Sequence, residues 1–502
     1  MAAKLFRAAA ALAFVAAAAL GASAQGVIRD AEIEETLREW TDPILEVAGL
    51  VPSDVEIYVL DDPSLNAYVA NGQRIHLHTG LLTAAENPAQ IKGVIGHEIC
   101  HIACGHTVAR LRAANVAMRP ALVSIGLGIL AIAAGEAGAG AALIGSSSQF
   151  AALNFYVHTR AEESAADAAA VKYLSALGQS PAGIVEFFEN FRYQEVLSDA
   201  KRFPYFRSHP LASDRIRTAR ALAEATGLMD VPPTEREQHQ YDMMRAKLIG
   251  FLDTPLKVRR EYPATDTSEP ARYARAISAY RASDIPLALT EIESLLTEEP
   301  DNAYFNELKG QILFESGRAA ESVAPHKHSL DIIPGQPLFL INYARSLNAR
   351  GEAGDSEAAE AALRDALIAE PDNAFAWAQL AITLENQGRR PEAQLATAES
   401  AYWVGDIVRA NSARWANELA RTMSAYWVGD IVRANSFAHR AVQSLEKGTT
   451  SYRRADDIML ITDPNNPDNR QFYERYGRSS RLSLETSGRD MPFGDFSATQ
   501  RR

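Results

Sequence analysis

Cysteine, basic charge and long apolar runs are all scarce in this sequence. Cysteine occurs twice, at Cys100 and Cys104. They stand four residues apart in a stretch that reads as helix. Two helical positions at that spacing put the Cα atoms about 6 Å apart with poorly directed Cβ vectors, so no disulfide is expected while the helix is intact. Lys and Arg number 50 against 63 Asp and Glu, a net charge of -13. That balance argues against nucleic acid as a partner, because phosphate contacts need basic surface. The apolar run at 121–134, ALVSIGLGILAIAA, is shorter than the roughly 20 residues of a spanning helix, and Glu136 interrupts any extension.

The amino terminus reads as an address. Lys4 and Arg7 precede a short apolar core, and the small-residue site ASA ends at Ala24. These three features make residues 1–24 a secretory signal peptide, with an uncleaved membrane anchor as the alternative. No cysteine follows the cleavage site, which argues against a lipid anchor there. The mature chain is expected in a bacterial periplasm.

The 502 residues leave room for two or three domains. Over 27–262 helical and strand patterns mix. VEIYVLDD (55–62) and QRIHLHTG (73–80) alternate β-type residues and end at turn formers, so both read as strands. Ala84 to Arg112 reads as one long helical stretch. The apolar run and the Gly/Ala-rich segment after it read as a buried helical hairpin; membrane contact through 121–145 is the sharper alternative. Over 267–450 the pattern changes to short amphipathic helices with a period. Ser283, Gly317, Gly351 and Gly388 are spaced 34, 34 and 37 apart, and Pro300, Pro334 and Pro371 are spaced 34 and 37. That period is the tetratricopeptide signature: four helix pairs, each burying its apolar face against its neighbours. SAYWVGDIVRANS occurs at 400–412 and again at 424–436, an offset of 24 that fits no such repeat and reads as a local duplication or a sequence error. Residues 451–502 are polar and turn-rich and read as a loosely ordered tail.

The chemistry concentrates in GHEICHIACGH, 96–106. His97-Glu98-Ile99-Cys100-His101 is an H-E-x-x-H motif. On a helix His97 and His101 share a face and can reach one Zn²⁺, while Glu98, about 100° round, can take a proton from the attacking water. The rival is a surface helix with two chance histidines, against which Ile99, Cys100 and Ile102 argue. A third ligand is needed, and Cys100, Cys104, His106 or a carboxylate from another helix are the candidates. On a continuous helix His106 lies about 180° from His97, and Cys104, on the right face, is a turn too far along the axis. His76 and His78 read as strand residues on one face, not ligands.

GHEICHIACGH followed by TRAEESAADAAA (159–170) resembles metallopeptidase family forty-eight, whose pattern is H-E-x-x-H and then E-x-x-x-D on a later helix. The resemblance covers about residues 45–225. It implies that Glu163 is the third zinc ligand, with Glu162 the in-register competitor, and that Asp167 hydrogen-bonds a ligating histidine. NAYVANGQRIHLHTGLL (66–82) is similar to the family's edge-strand segment, which can hold an extended substrate, although Asn71-Gly72-Gln73 stands where the family more usually has Pro-Gly-Gly. SHPLASDR (208–215) resembles its H-P-x-x-x-x-R element and implies that His209 and Arg215 lie near the zinc, where either could stabilise an oxyanion. His209 is alternatively a fourth ligand that holds the enzyme latent.

The expectation is therefore a mostly α (α+β) protein, with a zincin-type domain and small β-sheet followed by an α-solenoid. One Zn²⁺ per chain is held by His97, His101 and Glu163. With the exported address and the repeats, the resemblance implies a periplasmic endopeptidase acting on misfolded or unassembled outer-membrane proteins, with the barrel-assembly machinery as a partner. The alternative is a periplasmic chaperone or scaffold with a latent zinc site.

Overall fold

The computed structural model describes residues 26–70, 72–106, 160–197 and 213–412, with a few positions between 439 and 463. The expected signal peptide, the 121–145 hairpin, His209, the second copy of the duplicated segment and all but a few positions of the 451–502 tail lie outside the described residues. The chain divides into two compact units, one spanning Ser23–Ile312 and one carrying the chain from Leu313 onward. Among the described residues no helix is long and apolar enough to cross a membrane.

The first unit opens with β1 (Val27–Ile28) and α1 (Ala31–Val47), then β2 (Glu56–Leu60), β3 (Ala67–Ala70) and β4 (Arg74–His78). The sheet order is β1-β2-β4-β3, so β3 is an edge. β2 and β4 run parallel, and β3 pairs antiparallel with β4 through a turn in which Gly72 has φ +94°. The register sets Tyr58 and Tyr68 on either side of His76, and both rings stack on it, with centroids 5.4 and 4.6 Å away. His76 thus belongs to a cross-strand aromatic row.

Within the 84–112 stretch that reads as one long helix, the described residues hold α3 (Pro88–Ala103), which starts after α2 (Thr79–Ala84) and a break at Ala85 to Asn87. Asn87 caps α3 by accepting from the Gln90 N–H at 3.1 Å, with Pro88 in the first turn where its missing N–H costs nothing. Every residue from Pro88 to His101 is buried, so α3 is a core helix covered on all sides. Its neighbours are α4 (Arg160–Ala176) and α5 (Ala182–Leu197), followed by α6 (Ser213–Ala225). Glycine sets how closely they approach. A Cβ on Gly93 would stand 2.6 Å from the Ile184 backbone nitrogen, and one on Gly96 would stand 3.3 Å from Ala170 Cα.

α7 (Glu235–Leu252) completes the packing around α3. Lys92 Nζ meets Glu237 Oε1 at 2.5 Å, and the Tyr241 hydroxyl donates to the Ala85 carbonyl. Lys247, buried, binds Asp30 at 2.8 Å and Glu32 at 3.1 Å, and Glu32 also accepts from the Tyr273 hydroxyl at 2.9 Å. Tyr273 lies on α9 (Glu269–Arg281), which follows α8 (Pro255–Glu261), so this buried network joins the first helical repeat to the first helix of the unit.

The repeats follow as α9 (Glu269–Arg281), α10 (Ile285–Glu298), α11 (Ala303–Glu315), α12 (Ala319–Ile332), α13 (Pro337–Arg350), α14 (Asp355–Ala369), α15 (Ala374–Asn386) and α16 (Arg390–Ser412). The four residues that marked the period sit at the hairpin turns. All are left-handed, with φ 63° at Ser283, 83° at Gly317, 71° at Gly351 and 73° at Gly388. A left-handed residue is needed to stop one helix and aim the next, which is why glycine recurs there. Ser283 is the non-glycine residue that adopts it.

Candidate functional site

The site is built where α3 crosses α4. His97 and His101, one turn apart on α3, present their Nε2 atoms toward each other at 3.2 Å. Glu163 enters from α4, with Oε2 3.5 Å from His97 Nε2 and Oε1 3.5 Å from His101 Nε2. All three side chains are fully buried. Among the described residues these three form the group of candidate ligands able to close on one ion. The triangle can be tested against a metal. Ligands about 2.0–2.1 Å from a tetrahedral ion stand about 3.3–3.4 Å from one another. The observed edges bracket that value, and two imidazoles with one carboxylate are a donor set suited to Zn²⁺. The residues present fit a metal ion.

A second layer of contacts fixes the triangle. Asp167, one turn after Glu163, accepts from His97 Nδ1 at 3.0 Å, leaving Nε2 for the ion. Burial alone would disfavour a charged His97. Its hydrogen bonds to Asp167 and Glu163 overcome that and raise its pKa to about 10 in the metal-free protein. Burial likewise opposes the Asp167 carboxylate, but hydrogen bonds from His97 and Arg215 win and lower its pKa. Phe188 from α5 packs edge-on to the His97 ring, 6.5 Å between centroids.

Arg215, on α6, lies beside the ligand triangle, as the resemblance implies. Its Nε and Nη2 bind Asp167 at 2.8 and 2.7 Å, and Nη1 binds Glu163 Oε2 at 2.8 Å. Its guanidinium, buried over the Phe188 ring, is committed to the two carboxylates of α4. The i, i+4 spacing of Glu163 and Asp167 suits one planar fork.

Glu98 follows His97 on α3 and is fully buried. The cysteines give a correction. Cys100 and Cys104 are disulfide-bonded, with Cα atoms 5.3 Å apart. Cys104 is the C-cap of α3, with its N–H bonded to the carbonyls of Cys100 and Ile102. One turn apart at the helix end, the pair lies within the Cα range of a bridge, against the expectation of no disulfide on an intact helix.

The same helix end overturns the placement of His106. Gly105 is left-handed, φ +70°, and turns the chain back. His106 Nδ1 lies 2.9 Å from His101 Nδ1, although it stands far from the site on a continuous helical wheel. Gly105 was the available signal: glycine just past a helix is a common stop.

The metal triangle makes an electrostatic prediction. In the metal-free protein His97 keeps its proton at neutral pH. Its raised pKa adds stability that is fully present below about 6.5 and lost as pH rises through about 10. A ligating imidazole must be neutral, so metal uptake expels that proton. Titration calorimetry at pH 8 in buffers of different ionisation enthalpy should find roughly one proton released per ion. An unperturbed histidine would already be neutral there and release almost none, which would contradict the pairing.

Comparison with known proteins agrees with this geometry. Residues 28–223 match the model of Peptidase family M48. A Beta-barrel assembly-enhancing protease of Yersinia pestis is 25% identical over 379 residues, covering 72% of this chain and 74% of the relative. The protein of that name from Escherichia coli K12 is 25% identical over 378 residues, 73% and 74% of the two chains. Metalloprotease YcaL of Escherichia coli K12 is 30% identical over 176 residues, 34% of this chain and 61% of the relative.

Proposed function

This chain carries a peptidase family M48 domain and is a metalloprotease, and on that premise we propose that it is an exported, zinc-dependent endopeptidase that cleaves misfolded or unassembled envelope proteins. The observation that carries the reading is the buried His97–His101–Glu163 triangle, whose edges of 3.2, 3.5 and 3.5 Å suit a tetrahedral ion. The relatives named for β-barrel assembly support the substrate class. The repeats, read as tetratricopeptide units, would hold substrate or the barrel-assembly machinery.

Zinc, when bound, supplies Lewis acidity for the scissile carbonyl and for the attacking water. The chain supplies the rest. His97 and His101 present Nε2, and Glu163 its carboxylate, from two helices locked by Asp167 and Arg215. Glu98 takes the proton from the attacking water and delivers it to the leaving amine. β3, at the sheet edge and packed against α3, is placed to add an extended substrate as a further strand.

The substrate class is tested with one outer-membrane β-barrel protein in two states. Held unfolded in urea diluted to a tolerated level, it should be cut, and cutting should stop with a chelator and return with zinc. Folded in detergent micelles, it should be spared. Equal cleavage of both states would remove the preference for unassembled protein.

A further inference from the structure

His101 and His97 are not supported alike. The outer nitrogen of His97 is held by a carboxylate, Asp167, itself clamped by Arg215. The outer nitrogen of His101 meets a second imidazole, His106, at 2.9 Å, with ring centroids 5.1 Å apart and planes 60° apart. With Nε2 of His101 turned to the triangle, its Nδ1 carries the proton and donates, and His106 Nδ1 accepts. His106 can do this only because of how α3 ends. The Cys100–Cys104 bridge ties the cap to the turn that carries His101, Cys104 N–H closes on the Cys100 carbonyl at 2.7 Å, and the left-handed Gly105 reverses the chain.

We propose that His106 is a positioning residue for the metal ligand His101, and that the Cys100–Cys104 bridge acts by fixing His106 against it. The inference rests on reading His97, His101 and Glu163 as metal ligands. Hydrogen bonding to the outer nitrogen fixes the tautomer and ring orientation of a ligating histidine and raises its basicity. His106 is half-buried and on a reversing turn, so its own tether matters more than that of Asp167, which stands in the middle of α4. The bridge supplies that tether within two residues of His106. Cys100 is buried in the metal helix while Cys104 is exposed at its end, so the bond joins the fixed part of α3 to the part that would otherwise fray.

The test is Zn²⁺ affinity of the full mature chain, by competition with a chelating indicator, beside the thermal midpoint of the metal-free protein. His106→Ala should weaken zinc binding by about 10- to 100-fold with the metal-free midpoint unchanged. His106→Asn, whose side-chain oxygen can accept near the same place, should recover most of the affinity. Removing the bridge with Cys100→Ala and Cys104→Ala should weaken binding less than His106→Ala does. It should add nothing in the His106→Ala background, because a device that works through His106 has no further effect once His106 is gone. Affinity of His106→Ala within twofold of the parent overturns the proposal, and an equal loss from bridge removal in both backgrounds overturns the role given to the bridge. His101→Ala is the control. Should that variant keep parental zinc affinity, the ligand assignment itself fails, which is a different result from a silent His106.

Discussion

Glu98→Gln leaves the metal bound and lowers cleavage of an unfolded polypeptide by about 10²- to 10⁴-fold, the range in which a general acid–base group contributes. The side chain is fully buried on the metal helix but is not one of the three groups that close on a common point. Glutamine keeps the shape of glutamate and loses the capacity to take a proton, so the change touches chemistry and not assembly. Zinc content and thermal midpoint should both match the parent. A variant that cleaves at the parental rate removes Glu98 from the proton path. One that loses its metal makes Glu98 a ligand or a support of one, and the division of labour on α3 would need redrawing.

Arg215→Ala carries the second large effect, and it is one of stability. Arg215 is the cation between Glu163 and Asp167, all three buried. Removing one member of a buried ionic group strands the others, at a cost of about 3–5 kcal/mol. The metal-free protein should show the whole loss in denaturant unfolding, and metal should restore part of it by neutralising Glu163. Arg215→Lys should recover little, because an ammonium cannot span both carboxylates as the fork does. An oxyanion role makes the opposite forecast: stability intact and turnover lowered by about 10²- to 10³-fold. Unfolding free energy within about 1 kcal/mol of the parent for Arg215→Ala would favour that role.

How much of this was legible in the sequence depends on whether a feature is local. H-E-x-x-H on a helix and the strands of 55–62 and 73–80 are set by short-range periodicity, whereas Glu163 and Asp167 came into view through the family resemblance. The 34-residue period was visible for the same reason, since each turn needs a left-handed residue. Ser283 kept the place when glycine was absent. The commitment of Arg215 was hidden, because its partners lie 48 and 52 residues earlier and only packing of α6 on α4 joins them. The bridge and the place of His106 were hidden for a subtler reason. α3 ends at Ala103 with Cys104 as its cap, and the left-handed Gly105 puts His106 where a continuous wheel does not.

The central claim is that two histidines and one glutamate hold a single zinc ion. X-ray absorption at the zinc edge of the purified protein tests it most directly. The account predicts one zinc per chain, two imidazoles, and only nitrogen and oxygen neighbours at about 2.0–2.2 Å. A sulfur neighbour at about 2.3 Å would place a cysteine on the metal and contradict both the ligand set and the Cys100–Cys104 bridge.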